Sequence, residues 1–385
     1  MSLYFCCQGK ITVNAQKSGW IGAAWLGAAI LVGALALLAS ERGERAAEIS
    51  TDFVQQKTIL SETYTIDRKY RSMMGPYSVQ EIRLGDVDRP ELLWIVGYEA
   101  VMVGPDGEEA MPQEFMCHSN LDIDVSAHDA VLDASPGFGS RLFTLSQGQF
   151  HVRFPDGFGI PILSSEPLEL TTQVLNLNHD EIELGVRHKV TVEYLRDQDL
   201  DGAEMVALFP GSAYGLTLLE GEDGYFGIQR PDEEEHGPGC LTGENASPHD
   251  YEDGMGRTFT GHWVVEPGRQ VNRTLVTRLM NLPYDTRIHY IAVHLHPFAE
   301  SLELRDLTTG ETLFTSQAEN FEDRIGLRRV DAFSSVEGIP VYRDHEYEIV
   351  SVYDNTTEEP QDSMAVMYLY LHDLDFDAKR TRRTL

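Results

Sequence analysis

The stretch Ile288–His296 reads IHYIAVHLH, and its apolar and polar residues alternate as they do in a β-strand. Alternate side chains of a strand point to the same face, so His294 and His296 share one face while Val293 and Leu295 share the other. Two imidazoles roughly 7 Å apart along a strand face can converge on one metal ion. The alternative is a pair of solvated histidines. Because their neighbours are apolar and buried imidazoles need partners, the pattern favours a metal site.

The same strand-like pattern continues through most of the sequence. Short runs rich in Val, Ile, Leu, Thr and Tyr alternate with turn signals such as Gly104–Gly107, Pro155–Gly157 and Glu266–Gly268. No long stretch after residue 70 has the 3.6-residue period of a helix. The sequence therefore predicts an all-β protein, with two tandem jelly-roll-like β-sandwich domains after a single N-terminal transmembrane helix.

The length and net charge of the chain limit the possible partners and the number of domains. The chain has 385 residues and a net charge of −32, which excludes nucleic acid as a partner because no basic surface is available to neutralise phosphates. The length suits two domains. We expect a cytoplasmic N-terminus (1–19), a membrane anchor (20–40), a linker (41–70), a first domain (71–198), a second, copper-binding domain (199–376) and a disordered basic tail (377–385).

The segment Trp20–Ala39 holds twenty residues without a charge, which is long enough to span a bilayer. Lys10 and Lys17 precede it, whereas the charges directly after it cancel. The positive-inside bias therefore predicts a single-pass membrane protein whose bulk is periplasmic or extracellular. A cleaved signal peptide is the alternative, because Ala34–Ala36 resembles a cleavage site.

A third ligand would decide the metal. Met364 begins the strand-like run Met364–His372, MAVMYLYLH, 68 residues after His296. A methionine in a strand is commonly core filler. A thioether beside two imidazoles, however, selects copper, and Cu(I) in particular, over zinc or iron.

Two segments around these residues, Arg287–Gly310 and Tyr342–Leu371, resemble the second domain of the copper type II, ascorbate-dependent monooxygenases, the family of the peptidylglycine α-hydroxylating and dopamine β-monooxygenases. That family has a His-X-His strand and a later methionine at a similar spacing. The resemblance implies that His294, His296 and Met364 bind the copper that activates oxygen. It also implies an external reductant such as ascorbate and a small-molecule or peptide substrate.

The first domain of that family binds a second copper through two adjacent histidines and a distant third. Here the matching segment is Glu114–Ile123, EFMCHSNLDI, in which Cys117 and His118 stand where the adjacent histidines would be. Asn178 stands near the position of the third, with His179 next to it. The resemblance implies at most an altered second site, drawn from Cys117, His118 and His179.

Three alternatives stay open at this point. His294, His296 and Glu300 form HxHxxxE, the beginning of a cupin metal motif that would bind iron, manganese or zinc. A non-catalytic periplasmic protein that stores or delivers copper would need only one site. An interaction module with a vestigial site is the third. The sequence favours a membrane-anchored copper-dependent monooxygenase of unidentified substrate, and it identifies no protein partner.

Overall fold

The computed structural model describes residues 53–218, 250–252 and 258–384. The predicted membrane anchor at 20–40 lies outside these residues. In the part of the chain that is described, no helix is both long enough and apolar enough to cross a membrane. The protein is mostly β-sheet and has several sheets, which confirms the predicted all-β class.

Ten strands precede the predicted domain boundary. They are β1 (Gln55–Leu60), β2 (Tyr64–Ile66), β3 (Tyr77–Ile82), β4 (Leu92–Val103), β5 (Met116–Ile123), β6 (Arg141–Ser146), β7 (His151–Arg153), β8 (Phe158–Leu163), β9 (Leu168–Val174) and β10 (Leu184–Arg196). One α-helix, α1 (Val125–Leu132), and a 3-10 turn (Gln113–Phe115) lie among them.

The strands that follow are β11 (Val206–Tyr214), β12 (Thr217–Leu218), β13 (Asp250–Glu252), β14 (Thr258–Thr260), β15 (Trp263–Val265), β16 (Gly268–Leu275), β17 (Thr286–Leu295), β18 (Ala299–Asp306), β19 (Glu311–Asn320), β20 (Leu327–Val330), β21 (Phe333–Val341), β22 (Tyr347–Asn355), β23 (Gln361–Ser363) and β24 (Ala365–His372). The helices of this half are α2 (Thr277–Met280) and α3 (Ala378–Thr384), and a 3-10 turn spans Asp197–Asp199.

One ten-stranded sheet runs through both halves in the order β1-β10-β4-β8-β11-β24-β17-β21, with β2 paired to β10 and β7 to β4. The halves join where β8 and β11 pair in parallel, through Val206 with Phe158 and Ala207 with Gly159. A four-stranded sheet, β3-β9-β5-β6, belongs to the first half. A five-stranded sheet, β16-β22-β18-β19-β20, belongs to the second.

Aromatic packing joins these sheets into one core. Tyr98 of β4 stacks on Phe143 of β6 with ring centres 5.0 Å apart, so the four-stranded sheet lies against the large one. Phe143 also contacts Tyr370 of β24, 5.7 Å away, which belongs to the second half. The described residues after Phe53 therefore form one compact unit. The predicted boundary at 198/199 falls in the Asp197–Asp199 turn, and the division into two domains stays a prediction.

The position of β17 explains its sequence. It lies between β24 and β21, so both of its edges are paired. All but one of its side chains are buried, which shows that both of its faces are covered as well. Its antiparallel register with β24 pairs Leu295 with Ala365. His296 directly follows β17 and Met364 directly precedes β24, so both lie at the same end of this strand pair. The 68-residue spacing read from the sequence thus joins two residues that line one cavity.

The basic tail differs from its prediction. Residues Ala378–Thr384 form helix α3 instead of a disordered segment. Its cations meet carboxylates on either side of the predicted boundary, because Lys379 pairs with Glu204 at 2.6 Å and Arg382 with Asp197 at 2.6 Å. Sequence alone could not place those acidic partners beside the tail.

Candidate metal centre

His294 and His296 lie at the end of β17 and are both buried. Their rings stand nearly perpendicular, with centres 5.2 Å apart. Two imidazoles that bind one ion tetrahedrally through nitrogens about 2 Å from it have ring centres roughly 5 Å apart. The strand therefore holds this pair at a separation that suits a single ion.

Hydrogen bonds orient both rings. The Nδ1–H group of His296 donates to the backbone carbonyl of Asp362 at 3.2 Å; since a carbonyl only accepts, the proton must be on Nδ1. The Nδ1 atom of His294 bonds the Ser146 hydroxyl at 2.9 Å. Histidines that bind metals characteristically use the second ring nitrogen in this way. Nε2 is therefore the nitrogen that each ring could offer to an ion, which in His296 would replace a 3.4 Å contact with the Ser72 hydroxyl.

A third imidazole reaches the same place from the first half. His118 lies on β5, where it pairs in register with Ser146, the residue whose hydroxyl bonds His294. His118, His294, His296 and Met364 line one cavity of about 20 Å³, called here the histidine cavity. A cavity of about 10–15 Å³ or more accommodates one water-sized particle. The histidine cavity therefore has room for one ion and no more.

The cavity keeps its imidazoles neutral. Burial lowers the pKa of His118 to about 3 and the pKa of His296 to about 4, and it holds the pKa of His294 well below the ordinary value. The neighbouring imidazoles and the guanidinium of Arg141 lower the pKa of His294 further. Neutral imidazoles offer a nitrogen lone pair at pH 7, which is what a metal requires.

Arg141 places a buried cation in the wall of the histidine cavity. Its guanidinium pairs with the carboxylate of Asp122 and donates to the Thr144 hydroxyl at 3.0 Å. The Asp122 carboxylate offsets part of this positive charge, and the remainder disfavours a second positive charge in the cavity. It therefore favours a monovalent ion over a divalent one.

A larger, open cleft adjoins the histidine cavity. It has a volume of about 450 Å³ and shares His294, His296 and Ser72 with the cavity wall. Tyr70, Leu175 and Phe298 contribute apolar surface to it, and Lys69 and Arg71 contribute positive charge. The cleft is large enough for a small organic molecule and brings it up to the two histidines.

Cys117 lies in the wall of this open cleft and not in the histidine cavity. It is buried, and burial raises the pKa of its thiol to about 11. A thiol that keeps its proton at pH 7 is a weak ligand, because metals bind the thiolate.

His179 and Glu300, two further predicted residues, lie outside both cavities. The Nε2 atom of His179 bonds the Glu114 carboxylate at 2.9 Å, and half of its side chain is exposed. Glu300 pairs with Arg269 at 3.1 Å on the surface. Of the predicted residues, the histidine cavity therefore brings together His118, His294, His296 and Met364.

These side chains do not yet form a closed coordination sphere. Among the described residues, no three His, Cys, Asp or Glu side chains stand at the spacing of a complete metal site. The imidazole of His118 would have to move for it to bind the same ion as His294 and His296.

Sequence reasoning missed three residues of this region. Arg141 and Met73 line the histidine cavity, and the hydroxyl of Ser72 lies 3.4 Å from Nε2 of His296. None carries a recognisable signal, because Ser72 and Met73 lie in one short turn and Arg141 begins the distant strand β6. A fourth, His262, precedes β15, and its ring centre lies 6.2 Å from that of His296. Only the tripeptide Gly261–Trp263 in the sequence hinted at its burial.

Comparisons with known proteins leave the family unassigned. No family model matches the sequence, and no curated protein matches it. One similar solved structure is entitled "Structure of PNGF-II in C2 space group": it is 8% identical, with 84% of this chain and 65% of that chain covered, at a TM-score of 0.32. This chain thus spans less than two thirds of that protein.

A second solved structure is a putative membrane anchored protein from Corynebacterium diphtheriae. It is 7% identical, with 83% of this chain and 93% of that chain covered, at a TM-score of 0.19. Neither likeness assigns a family or an activity to this chain.

Proposed function

We propose that this protein binds one copper ion in the histidine cavity. The observation that carries the proposal is the convergence of three buried imidazoles and one thioether on a space of about 20 Å³. His294 and His296 are the ligands in both oxidation states. Met364 adds a soft donor that suits Cu(I), and His118 adds an imidazole that suits Cu(II).

The chemistry of the donors fits copper better than its competitors. Neutral imidazoles and a thioether carry no negative charge, so the site has little to offer magnesium, calcium or manganese, which prefer carboxylate oxygens. The positive charge of Arg141 adds to this selection. The cupin alternative would need the carboxylate of Glu300 as a ligand, but Glu300 pairs with Arg269 instead.

Metal analysis tests this proposal. The full chain in detergent is loaded with Cu(I) under reducing conditions, freed of excess ion and analysed for copper. Cys6 and Cys7 are replaced by serine so that their thiols do not bind the ion. We expect one copper per chain, and none in the cavity after His294→Ala with His296→Ala. Equal copper in the parent and in the double variant would refute the proposal.

One site, and not two, is proposed. A second copper held by Cys117, His118 and His179 would need these three residues together. His118 faces the histidine cavity, Cys117 the open cleft, and His179 is bonded to Glu114. A measured stoichiometry of two would revive the second site.

The open cleft favours a second candidate function, a copper-dependent monooxygenase. When bound, copper with an external reductant such as ascorbate supplies the activation of oxygen. The chain itself would bind a small-molecule or peptide substrate in the cleft, whose wall includes His294 and His296. A protein that only stores or delivers copper has no use for a cleft of about 450 Å³ beside its ion.

Oxygen uptake separates these two functions. The copper-loaded chain with ascorbate is screened against a panel of small molecules and peptides. Uptake that depends on both a substrate and His294 indicates an oxygenase. Tight copper binding without substrate-dependent uptake, together with transfer of Cu(I) to an acceptor chelator, indicates delivery.

The location and the finer architecture are part of the proposal. We infer a single-pass protein anchored by its N-terminal helix, with two tandem jelly-roll-like sandwiches outside the cytoplasm. The lysines before the predicted span support the orientation. An extracytoplasmic reporter fused after Leu385 should be active, and an active cytoplasmic reporter at that position would reverse the orientation.

A further inference from the structure

A strained turn beside the histidine cavity has no explanation in the function proposed so far. The amide of Met74 donates to the carbonyl of Arg71 at 3.1 Å, which closes a turn with Ser72 and Met73 at its centre. Met73 has φ of 67°, the left-handed region that glycine or asparagine prefers at this position of a turn. A long apolar side chain there is a backbone outlier.

The surrounding structure holds Met73 in this conformation. The side-chain amide of Gln173 on β9 donates to the carbonyl of Met73 at 3.0 Å and to the carbonyl of Gly75 at 2.8 Å. Gln173 is completely buried, so these bonds are shielded from water. A strained backbone that the surrounding structure holds in place is characteristic of functional sites.

Both central residues of the turn face the proposed ligands. The Ser72 hydroxyl lies 3.4 Å from Nε2 of His296. Met73 is buried, and it lines the histidine cavity together with Met364. Methionine is a common core filler, but a filler gains nothing from a strained backbone. A role for the thioether of Met73 in binding an ion in the cavity would account for the strain.

We propose that Met73 is a second thioether ligand of the copper ion. This inference rests on the proposed function and extends it. The Cu(I) form is then held by His294, His296, Met364 and Met73. His118 serves the Cu(II) form, because thioethers bind the softer Cu(I) and imidazoles bind both states. Two thioethers together make the site selective for Cu(I).

Selenium labelling tests this ligand directly. The full chain is produced with selenomethionine, loaded with one equivalent of Cu(I) and measured by copper-edge X-ray absorption. Selenium neighbours report methionine alone, and Cys6 and Cys7 are replaced by serine so that their thiols do not compete for the ion. We expect two selenium neighbours per copper in the parent and one in Met73→Leu. Met364→Leu should also leave one.

The matched control for Met73→Leu is a second buried methionine that lies away from the proposed site. Met102→Leu changes a buried methionine of β4 outside both cavities and should leave two selenium neighbours. Leucine at position 73 keeps the volume and the turn, and circular dichroism checks the fold. One selenium neighbour in both the parent and Met73→Leu would overturn the role of Met73 and leave the proposed function intact. A chain that binds no copper would overturn both.

Discussion

Two pairs of histidines in the described part of the chain lie in different environments. His294 and His296 are buried, and the hydrogen-bond partners of their Nδ1 atoms are a hydroxyl and a backbone carbonyl. His179 and His345 lie nearer the surface and bond the carboxylates of Glu114 and Asp306, at 2.9 and 2.7 Å. The bond to Glu114 occupies Nε2 of His179, and His179 and His345 both lie outside the histidine cavity. His294 and His296 bond through Nδ1 and line that cavity, so their Nε2 atoms can serve a metal.

The difference teaches how to choose among histidines. Sequence reasoning treated His118 and His179 as members of one weaker site, since both stand near positions that the resemblance marks. The structure separates them: His118 joins the buried group around the histidine cavity, and His179 belongs to the carboxylate-paired group. Location at the cavity, and not position in a motif, distinguishes the two imidazoles.

The largest effect that sharpens this comparison is expected at His118. His118→Gln keeps a buried polar side chain but removes the third imidazole. We expect the affinity for Cu(II) to fall roughly 100-fold, at the upper end of the loss that the removal of outer-shell partners alone causes. The affinity for Cu(I), which depends on the thioethers, should change less. Competition with a chelator in each oxidation state measures both.

The matched control is His179→Gln, which breaks the bond to Glu114 and leaves the cavity untouched. Its affinity for copper should equal that of the parent. A loss at His179 as large as that at His118 would mean that the two environments do not differ in function.

A smaller effect is expected at Ser146, whose hydroxyl orients His294. Ser146→Ala should weaken copper binding about tenfold, because a partner that fixes a ligating ring is worth 10–100-fold in affinity. Ser78→Ala removes another buried hydroxyl, which bonds Tyr64 and lines neither cavity, and serves as the control. Equal affinities in both variants would show that the Ser146 bond does not support the ligand.

The smallest effect concerns stability and pH. His188 is completely buried, neither of its ring nitrogens has a hydrogen-bond partner among the described residues, and burial lowers its pKa to about 3. The unfolded chain binds the proton first, so acid favours unfolding. For each buried histidine of this kind, the free energy of unfolding should fall by about 1.4 kcal/mol per pH unit as the pH drops below about 6.5. Urea unfolding of the copper-free chain at pH 7, 6 and 5 should show a smaller slope in His188→Leu.

Asp306 provides the contrasting pH window. Burial raises the pKa of its carboxyl, but the hydrogen bonds from His345 and from the amides of Thr309 and Thr308 outweigh this and hold the pKa below its usual range. The contribution of Asp306 to stability is therefore present above about pH 4 and is lost only in stronger acid.

The test of His188 has a clear contrary result. If the free energy of unfolding depends on pH between 7 and 5 in His188→Leu as it does in the parent, the imidazole of His188 is not held neutral in the folded protein.

Part of this site could be read from the sequence for a definite physical reason. The period of two in β17 places His294 and His296 on one face, and the antiparallel register with β24 sets the distance along the chain to Met364. The all-β class followed from the same alternation. These features depend only on one strand or on two neighbouring strands, so they can be recognised in a single sequence.

The remaining parts depend on how distant elements pack. His118 reaches the cavity only because the sheet that contains β5 and β6 lies against β17 and β24, and no periodicity encodes that arrangement. Met73 depends on a turn with an unfavourable residue at its third position, which sequence rules would assign to glycine. The cations of helix α3 met carboxylates 175 or more residues earlier in the chain.

The central claim is that both halves of the protein contribute imidazoles to one copper ion. Pulsed electron paramagnetic resonance of the Cu(II) form tests it most directly, since the modulation from the remote ring nitrogens counts the imidazoles bound to the ion. The account predicts three imidazoles in the parent chain, two in His118→Gln and three in His179→Gln. Two imidazoles in the parent, with no change in His118→Gln, would contradict it.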